Sequence, residues 1–290
     1  MLSDTGAVDL HLHTTVSDGT DTPEELLTAV RRAGFSVFSA TDHDAVKAGL
    51  LLRSCLRPGD PAFIQGAEFA CRDEKGKYHV LGYGFDPEHP AVQELVGRTH
   101  ALRIRKVVAR LDFLKTTFGF TFPQEEISRL LSLDNPGKPH IGRLMVRYGY
   151  AGTVEQAMKE YINRIRFANE YARPQEVVGA ILAGGGIPVL AHPFYGNGDE
   201  WIYGEEMENR LRHLIGLGLR GIEAFYSGFS PAHRREALAL AKRFDLYVTA
   251  GSDYHGTNKL VLLGDTGLPD VQEYPEGLRR FLETVRYETP

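Results

Sequence analysis

Apolar residues recur along this chain in two rhythms. Short runs at Val8–Leu12, Phe35–Ala40, Ala62–Gln65, Tyr78–Tyr83, Pro188–Ala191, Gly221–Ala224 and Leu246–Thr249 read as strands. Between them, apolar positions spaced by three and four predict helices over Pro23–Arg32, Ala45–Leu56, Pro174–Ala183, Glu205–Gly216, Pro231–Phe244 and Pro275–Arg286. Thr22 followed by Pro23 supplies both the cap and the first-turn proline of the first helix. Strand and helix in alternation predict an α/β fold of parallel strands joined by crossover helices, a barrel or a doubly wound sheet.

The alternation stops between residues 97 and 170. Arg98–Phe118, Pro123–Leu131, Pro139–Tyr148 and Thr153–Tyr161 all read as helices, with no strand pattern among them. The division expected is therefore a body of residues 1–96 and 171–290 carrying an all-helical insertion of residues 97–170. Charge separates the same two parts. Residues 97–173 hold 10 Arg and 4 Lys against 7 acidic residues, a balance of +7. With the whole chain at −5, the remainder sums to −12. A basic segment within an acidic body points to two different tasks.

At 290 residues and 42% hydrophobic content, there is apolar material enough for one barrel-sized core. Cys55 and Cys71 have neither disulfide-framework nor zinc-finger spacing. The start, MLSDTGAVDL, lacks the basic and apolar regions of a signal peptide. The most apolar stretch, Val177–Leu190, is short for a membrane span and broken by Gly184, Gly185, Gly186 and Pro188. Cytoplasmic location without a membrane partner is the expectation. Net negative charge also argues against binding long duplex nucleic acid. The sequence sets no oligomeric state.

The histidines carry the chemistry. Of 11, six are expected at or just past the C-terminal ends of strands: His11, His13, His43, His79, His192 and His255. Asp9, Asp18, Asp42, Asp44, Glu68 and Asp253 accompany them. Loops at that end of parallel strands converge on one face, so these groups would share a small volume. Carboxylates so crowded repel one another, and divalent cations relieve the repulsion because imidazole nitrogen and carboxylate oxygen are their ligands. His11 and His13 alternate with Leu12, so both rings would face one ion. Asp44 is expected to cap the helix beginning near Ala45. His89, His100, His213 and His233 sit among polar neighbours and read as solvated, while the pattern leaves His140 open.

Asp9-Leu-His11-Leu-His13-Thr-Thr-Val-Ser17-Asp18-Gly19, Thr41-Asp42-His43-Asp44, Gly66-Ala-Glu68, His79-Val-Leu-Gly-Tyr83, Ala191-His192-Pro193 and Gly251-Ser252-Asp253-Tyr-His255-Gly256 together resemble the polymerase and histidinol phosphatase (PHP) family. Gly137-Lys138-Pro139-His140-Ile141 and Tyr148-Gly-Tyr150 resemble the insertion of its stand-alone phosphoesterases acting on nucleotides and short RNA. The resemblance implies a distorted seven-stranded (β/α) barrel holding two or three divalent ions of zinc, manganese or iron. One ion would take His11, His13, Glu68 and Asp253, a second Glu68, His79 and His192, and a third Asp18, His43 and His255. Glu68, Asp18 and His43 are the catalytic candidates, for in-line attack of a metal-bridged hydroxide on phosphorus. The insertion would be a lid, with Lys138 and Arg143, then Arg103 and Arg105, contacting substrate phosphate. Lys138 stands where the subgroup usually has arginine, which keeps the charge and loses the fork. The substrates implied are a nucleoside 3′,5′-bisphosphate, a 5′-mononucleotide or the 5′ end of a short RNA. Competing readings are a histidinol-phosphate phosphatase, an amidohydrolase-type C–N hydrolase and a non-catalytic metal-binding module.

Overall fold

The computed structural model describes residues 6–167, 170–196, 200–269 and 273–289. The first part of the chain runs β1 (Ala7–Leu12), α1 (Pro23–Ala33), β2 (Phe35–Ala40), α2 (Lys47–Cys55), β3 (Ala62–Phe63), β4 (Gly66–Asp73) and β5 (Gly76–Tyr83). The helical stretch follows as α3 (Pro90–Phe118), α4 (Gln124–Leu131), α5 (Lys138–Arg147) and a short α6 (Val154–Gln156). Alternation then resumes with α7 (Pro174–Ala183), β6 (Ile187–Leu190), α8 (Gly204–Gly216), β7 (Gly221–Tyr226), α9 (Pro231–Arg243), β8 (Tyr247–Gly251) and α10 (Glu276–Thr284). Thr22 caps α1 as expected: its hydroxyl accepts from Glu25 N, and Glu25 reaches back to Thr22 N.

The strands form two sheets, β1-β2-β3 and β4-β5-β6-β7-β8. The smaller is parallel, as are β6, β7 and β8. β5 instead runs antiparallel to both β4 and β6. The reversal is made at residues 73–76, where the Asp73 carboxylate accepts from Lys75 N and Gly76 N and turns the chain back. The sheets touch through single bridges, Leu12 to Tyr254 and His43 to Glu68, without a continuous ladder. The architecture is mixed α/β with two sheets that do not close, in place of the expected all-parallel alternation.

Two helical expectations shift for tertiary reasons. α2 starts at Lys47 behind Val46, and Asp44 does not cap it. Asp44 sits at φ 51°, its carboxylate accepting from Ala70 N and Arg103 Nε at 3.0 and 2.7 Å. A buried charge partner outweighs a local cap. The expected helix Thr153–Tyr161 breaks into α6, a π turn at Ala157–Tyr161 and a 3-10 turn at Ile162–Arg164.

α3 begins at Pro90, capped by His89, well before Arg98. Its first turns bury Val92 and Leu95 in the main core, against α7. Further along, Val107, Leu111 and Leu114 pack with Leu130, Ile141 and Leu144 in a separate core beneath the insertion. One helix thus belongs to both apolar cores.

Candidate metal centre

Nine side chains singled out in the sequence converge. Glu68 is central and almost fully buried. Its Oε1 lies 2.7 Å from His79 Nδ1 and 3.0 Å from His192 Nε2. Its Oε2 lies 3.4 Å from both His11 Nε2 and His13 Nε2, and 2.9 Å from His43 Nδ1. Asp253 Oδ1 comes within 3.5 Å of His11 Nε2 and 3.3 Å of His13 Nε2. Asp18 Oδ1 is 3.3 Å from His255 Nε2 and 4.0 Å from His43 Nε2. Three compact groups have ion-holding geometry: His13, Asp18, His43 and His255; His11, His13 and Asp253; and His43, Glu68 and His79.

Strand direction explains how they meet. His11 is the penultimate residue of β1, with its side chain on the face shared by Asp9 and His13. Glu68 lies inside β4 rather than at a strand end, and His79 lies mid-strand on β5. Because β5 is antiparallel, its first half reaches the rim where β6 ends, and Ala191 N donates to His79 O. Asp253 and His192 hold φ of 60° and 28°. Such conformations cost about 1–3 kcal/mol each for residues with a Cβ and persist only where the surroundings impose them. Here Asp253 N donates to His11 O, and His192 N to Glu223 Oε2.

Glu223, on β7, was not foreseen. It is fully buried, and its Oε1 lies 2.9 Å from His11 Nδ1, which directs Nε2 toward the cluster. The available signal was a lone acid in the apolar strand Gly-Ile-Glu-Ala-Phe-Tyr. Lys259 was given no site role from the sequence: its Nζ is 2.5 Å from Asp253 Oδ2, which Tyr226 OH also meets at 3.0 Å. Asp42 and Asp9 turn out to be scaffolding. Asp42 accepts from the backbone N and hydroxyl of both Thr14 and Ser17, shaping the loop that carries Asp18. Asp9 accepts from Ser252 N and Gly264 N, tying β1 to the loops after β8. Gly251 closes that contact, since a Cβ there would stand 2.2 Å from His11 Cβ.

The electrostatics suit cations. Burial opposes charge on Glu68, yet His79, His43 and His11 hold it well below the usual carboxylate range. Asp253 is likewise held low against burial, chiefly by Lys259 and His11. Burial pushes His79 down to about 3, leaving a neutral imidazole with a lone pair to give. His11 Nε2, His13 Nε2, His43 Nδ1 and Glu68 Oε2 are buried without a hydrogen-bond partner. Orphaned buried polar atoms are costly, and here they converge on a common space. Divalent cations fit this donor set.

A cavity of about 300 Å³ opens over the cluster, lined by Glu68, His79, His192, Lys77, Tyr195 and Lys259 among others. Of the residues expected from the sequence to contact phosphate, Lys138, Arg143, Arg103 and Arg105, none is among those lining it. Arg103 is paired with Asp44, Lys138 Nζ donates to Asn163 Oδ1, and Arg143 lies close enough to Asp18 to feel its charge. Arg105 is exposed on α3. Three further cations crowd together nearby, and of these Lys77 lines the cavity. Lys77 and Lys106 face the Tyr171 ring at 5.7 and 4.1 Å, and Arg110 faces the Phe167 ring. Burial and mutual repulsion lower Lys106 to about 7, Lys138 to about 8 and Arg110 to about 10. Positions 103, 106 and 110 share one helical face and 105 does not, a spacing visible in the sequence.

The remaining histidines are partnered rather than merely solvated. His89 caps α3, His100 Nδ1 meets Asp134 O, His213 Nε2 lies 2.7 Å from Asp73 Oδ2, and His233 stacks on Trp201. His140 Nδ1 accepts from Gly137 N at the start of α5.

No family model matches the chain. It is 29% identical over 262 residues to a phosphoribosyl 1,2-cyclic phosphate 1,2-diphosphodiesterase of Eggerthella lenta, covering 86% of this chain and 94% of that one. It is 28% identical to a 5′-3′ exoribonuclease of Haemophilus influenzae, covering 85% and 89%. A 3′,5′-nucleoside bisphosphate phosphatase of Chromobacterium violaceum is 26% identical, with 86% and 87% covered. Among solved structures, a Bifidobacterium adolescentis protein assigned as a metal-dependent phosphoesterase superposes with a TM-score of 0.79 at 26% identity, over 99% of this chain and 98% of its own. A Chromobacterium violaceum structure described as an amidohydrolase, with bound sulfate, reaches 0.81 over 98% of both chains; at 23% identity it speaks to the fold alone. Among the described residues no helix is long and apolar enough to cross a membrane. Clustered metal ligands and relatives named for phosphodiesterase and phosphatase activities agree: the chain is a metal-dependent phosphoesterase.

Proposed function

We propose that this enzyme hydrolyses phosphate esters of nucleotides, either a nucleoside 3′,5′-bisphosphate, a 5′-mononucleotide or the 5′ end of a short RNA. The observation that carries the reading is the pairing of two unlike surfaces over one cavity. One is the cluster of orphaned nitrogen and oxygen atoms around Glu68, and the other is a group of crowded cations, Lys77 lining the cavity and Lys106, Arg110 and Lys138 neighbouring Lys77. Relatives named for exoribonuclease, bisphosphate phosphatase and cyclic phosphodiesterase activities support the same substrate class. We read the two sheets as arcs of a distorted barrel whose mouth carries the cluster.

Two or three ions of zinc, manganese or iron would be held by His11, His13, Asp18, His43, Glu68, His79, His192, Asp253 and His255. Bound there, they supply Lewis acidity toward phosphoryl oxygens and acidify water. The chain's own groups do the rest. Glu68 presents one oxygen to His79 and His192 and the other to His11, His13 and His43, and would serve ions held with either set. Asp18 and His43, with His255, would hold a third. Glu223 fixes the His11 ring, and Lys259 with Tyr226 fixes Asp253. Lys138, Arg143, Lys106 and Arg110 offset substrate charge from the lid side, and Arg103 braces Asp44 beneath them.

The test is release of phosphate or nucleotide from a nucleoside bisphosphate, a 5′-mononucleotide, a short 5′-phosphorylated RNA and histidinol phosphate, with each metal supplied in turn. At least one nucleotide substrate should exceed p-nitrophenyl phosphate in kcat/KM. If histidinol phosphate surpassed every nucleotide, the substrate assignment would fall.

A further inference from the structure

Large apolar side chains exposed to solvent are few among the described residues, and Trp201, Tyr203, Leu260 and Leu262 are four of them. All four lie on the two loops that follow β6 and β8, which also deliver Tyr195 and Lys259 to the metal cavity. The aromatic pair is built, not merely exposed. Tyr195 and Trp201 form an antiparallel bridge, and Ile202 N donates to Phe194 O. Trp201 and Tyr203 are parallel to within 4°, and His233 stacks against Trp201 at 4.5 Å. The rings run without interruption from metal ligand to surface: His192 meets Tyr195 at 5.9 Å, and Tyr195 meets Trp201 at 4.6 Å.

We propose that Trp201 and Tyr203 form a stacking platform for the base of the nucleotide whose phosphate sits at the metal centre. The inference rests on the nucleotide reading above and adds to it a base-recognising subsite. A flat π surface held rigid pays little ordering entropy when a base settles on it, and it accepts any base because every base has a π face. The site then offers substrate two unlike sides, Lys77 with its neighbouring cations for phosphate and the rings of Trp201 and Tyr203 for the base. An ester lacking a planar group gains nothing from the second side.

Trp201 is the sole tryptophan of the chain, so it reports on its own contact. Intrinsic fluorescence of the metal-loaded wild-type protein is titrated with a non-hydrolysable nucleoside 5′-phosphonate and, separately, with ribose 5-phosphonate. Saturable quenching by the first and none by the second is expected. In kinetics, Trp201→Ala should lower the preference for a 5′-mononucleotide over ribose 5-phosphate, as a ratio of kcat/KM, by about tenfold to a hundredfold. Trp201→Phe should restore most of it, which separates stacking from loss of the fold. Equal quenching by both phosphonates, or an unchanged preference in Trp201→Ala, overturns the platform while leaving the nucleotide reading intact. Wild-type protein that hydrolyses no nucleotide removes that reading and the platform with it.

Discussion

The strand wall and the insertion wall of the cleft are made on opposite rules. On the strand wall each ligand is held from behind: His11 by Glu223, Asp253 by Lys259 and Tyr226, and the Asp18 loop by Asp42. On the insertion wall the cations are crowded against each other and against rings, with Arg103 alone tied to a buried carboxylate. Preorganised donors gain most where charge must be placed to a fraction of an ångström, as around metal ions. Cations crowded together without a carboxylate gain a charge partner when an anion arrives. Chemistry should therefore be brittle on the first wall, and substrate selection adjustable on the second.

The largest break should come at Glu68. Glu68→Ala is expected to lower kcat by about three orders of magnitude or more and to reduce metal content by elemental analysis. Chelation should likewise remove activity and lower the melting temperature of the wild type, because ions that bind only the folded state stabilise it. Glu223→Gln, with no substrate contact, should still cost about 10–100-fold in activity or metal affinity. Full activity at unchanged metal would mean that His11 needs no support. Gly251→Ala should destabilise by about 1–3 kcal/mol through overpacking on His11, read by denaturant melts.

Substitutions on the insertion wall should leave metal content alone. Lys106→Ala is expected to raise KM about tenfold, whereas Arg105→Ala stays within about twofold. Reversed ranks would put the phosphate track on the other face of α3. The smallest effect is in pH. Lys106 and Lys138 lose their protons as pH rises through about 7 and about 8, so attraction for phosphate is complete below that interval and fades above it. KM should rise accordingly, and Lys106→Arg should flatten the rise because guanidinium keeps its charge. A wild-type KM level across the interval contradicts the assignment.

Legibility divided along the same walls. His11, His13 and Phe35–Ala40 could be read because period-two alternation fixes a strand and the face each residue takes. Period two carries no direction, so the antiparallel β4–β5 hairpin stayed hidden, and His79 was expected at a strand end. Glu223 was hidden because one acid in a strand looks alike whether it faces solvent or a buried ring. Asp44 looked like a cap because its true partner, Arg103, lies 59 residues away. On α3 the sequence singled out Arg103 and Arg105, whereas the helix turns Arg103, Lys106 and Arg110 to one face and leaves Arg105 exposed.

The 29 residues of α3 span about 44 Å at 1.5 Å per residue. The reversed β5 leaves the chain at the end of the sheet away from the ligands, and this one helix climbs back past them to support the insertion. A strut rooted in one core and ending in another has no hinge to fold about. The return is tied as well, with Cys71 bridging Ala172 and Arg72 donating to Phe167 O, so any widening for a bulkier substrate would have to bend the beam and not swing a flap on a loop.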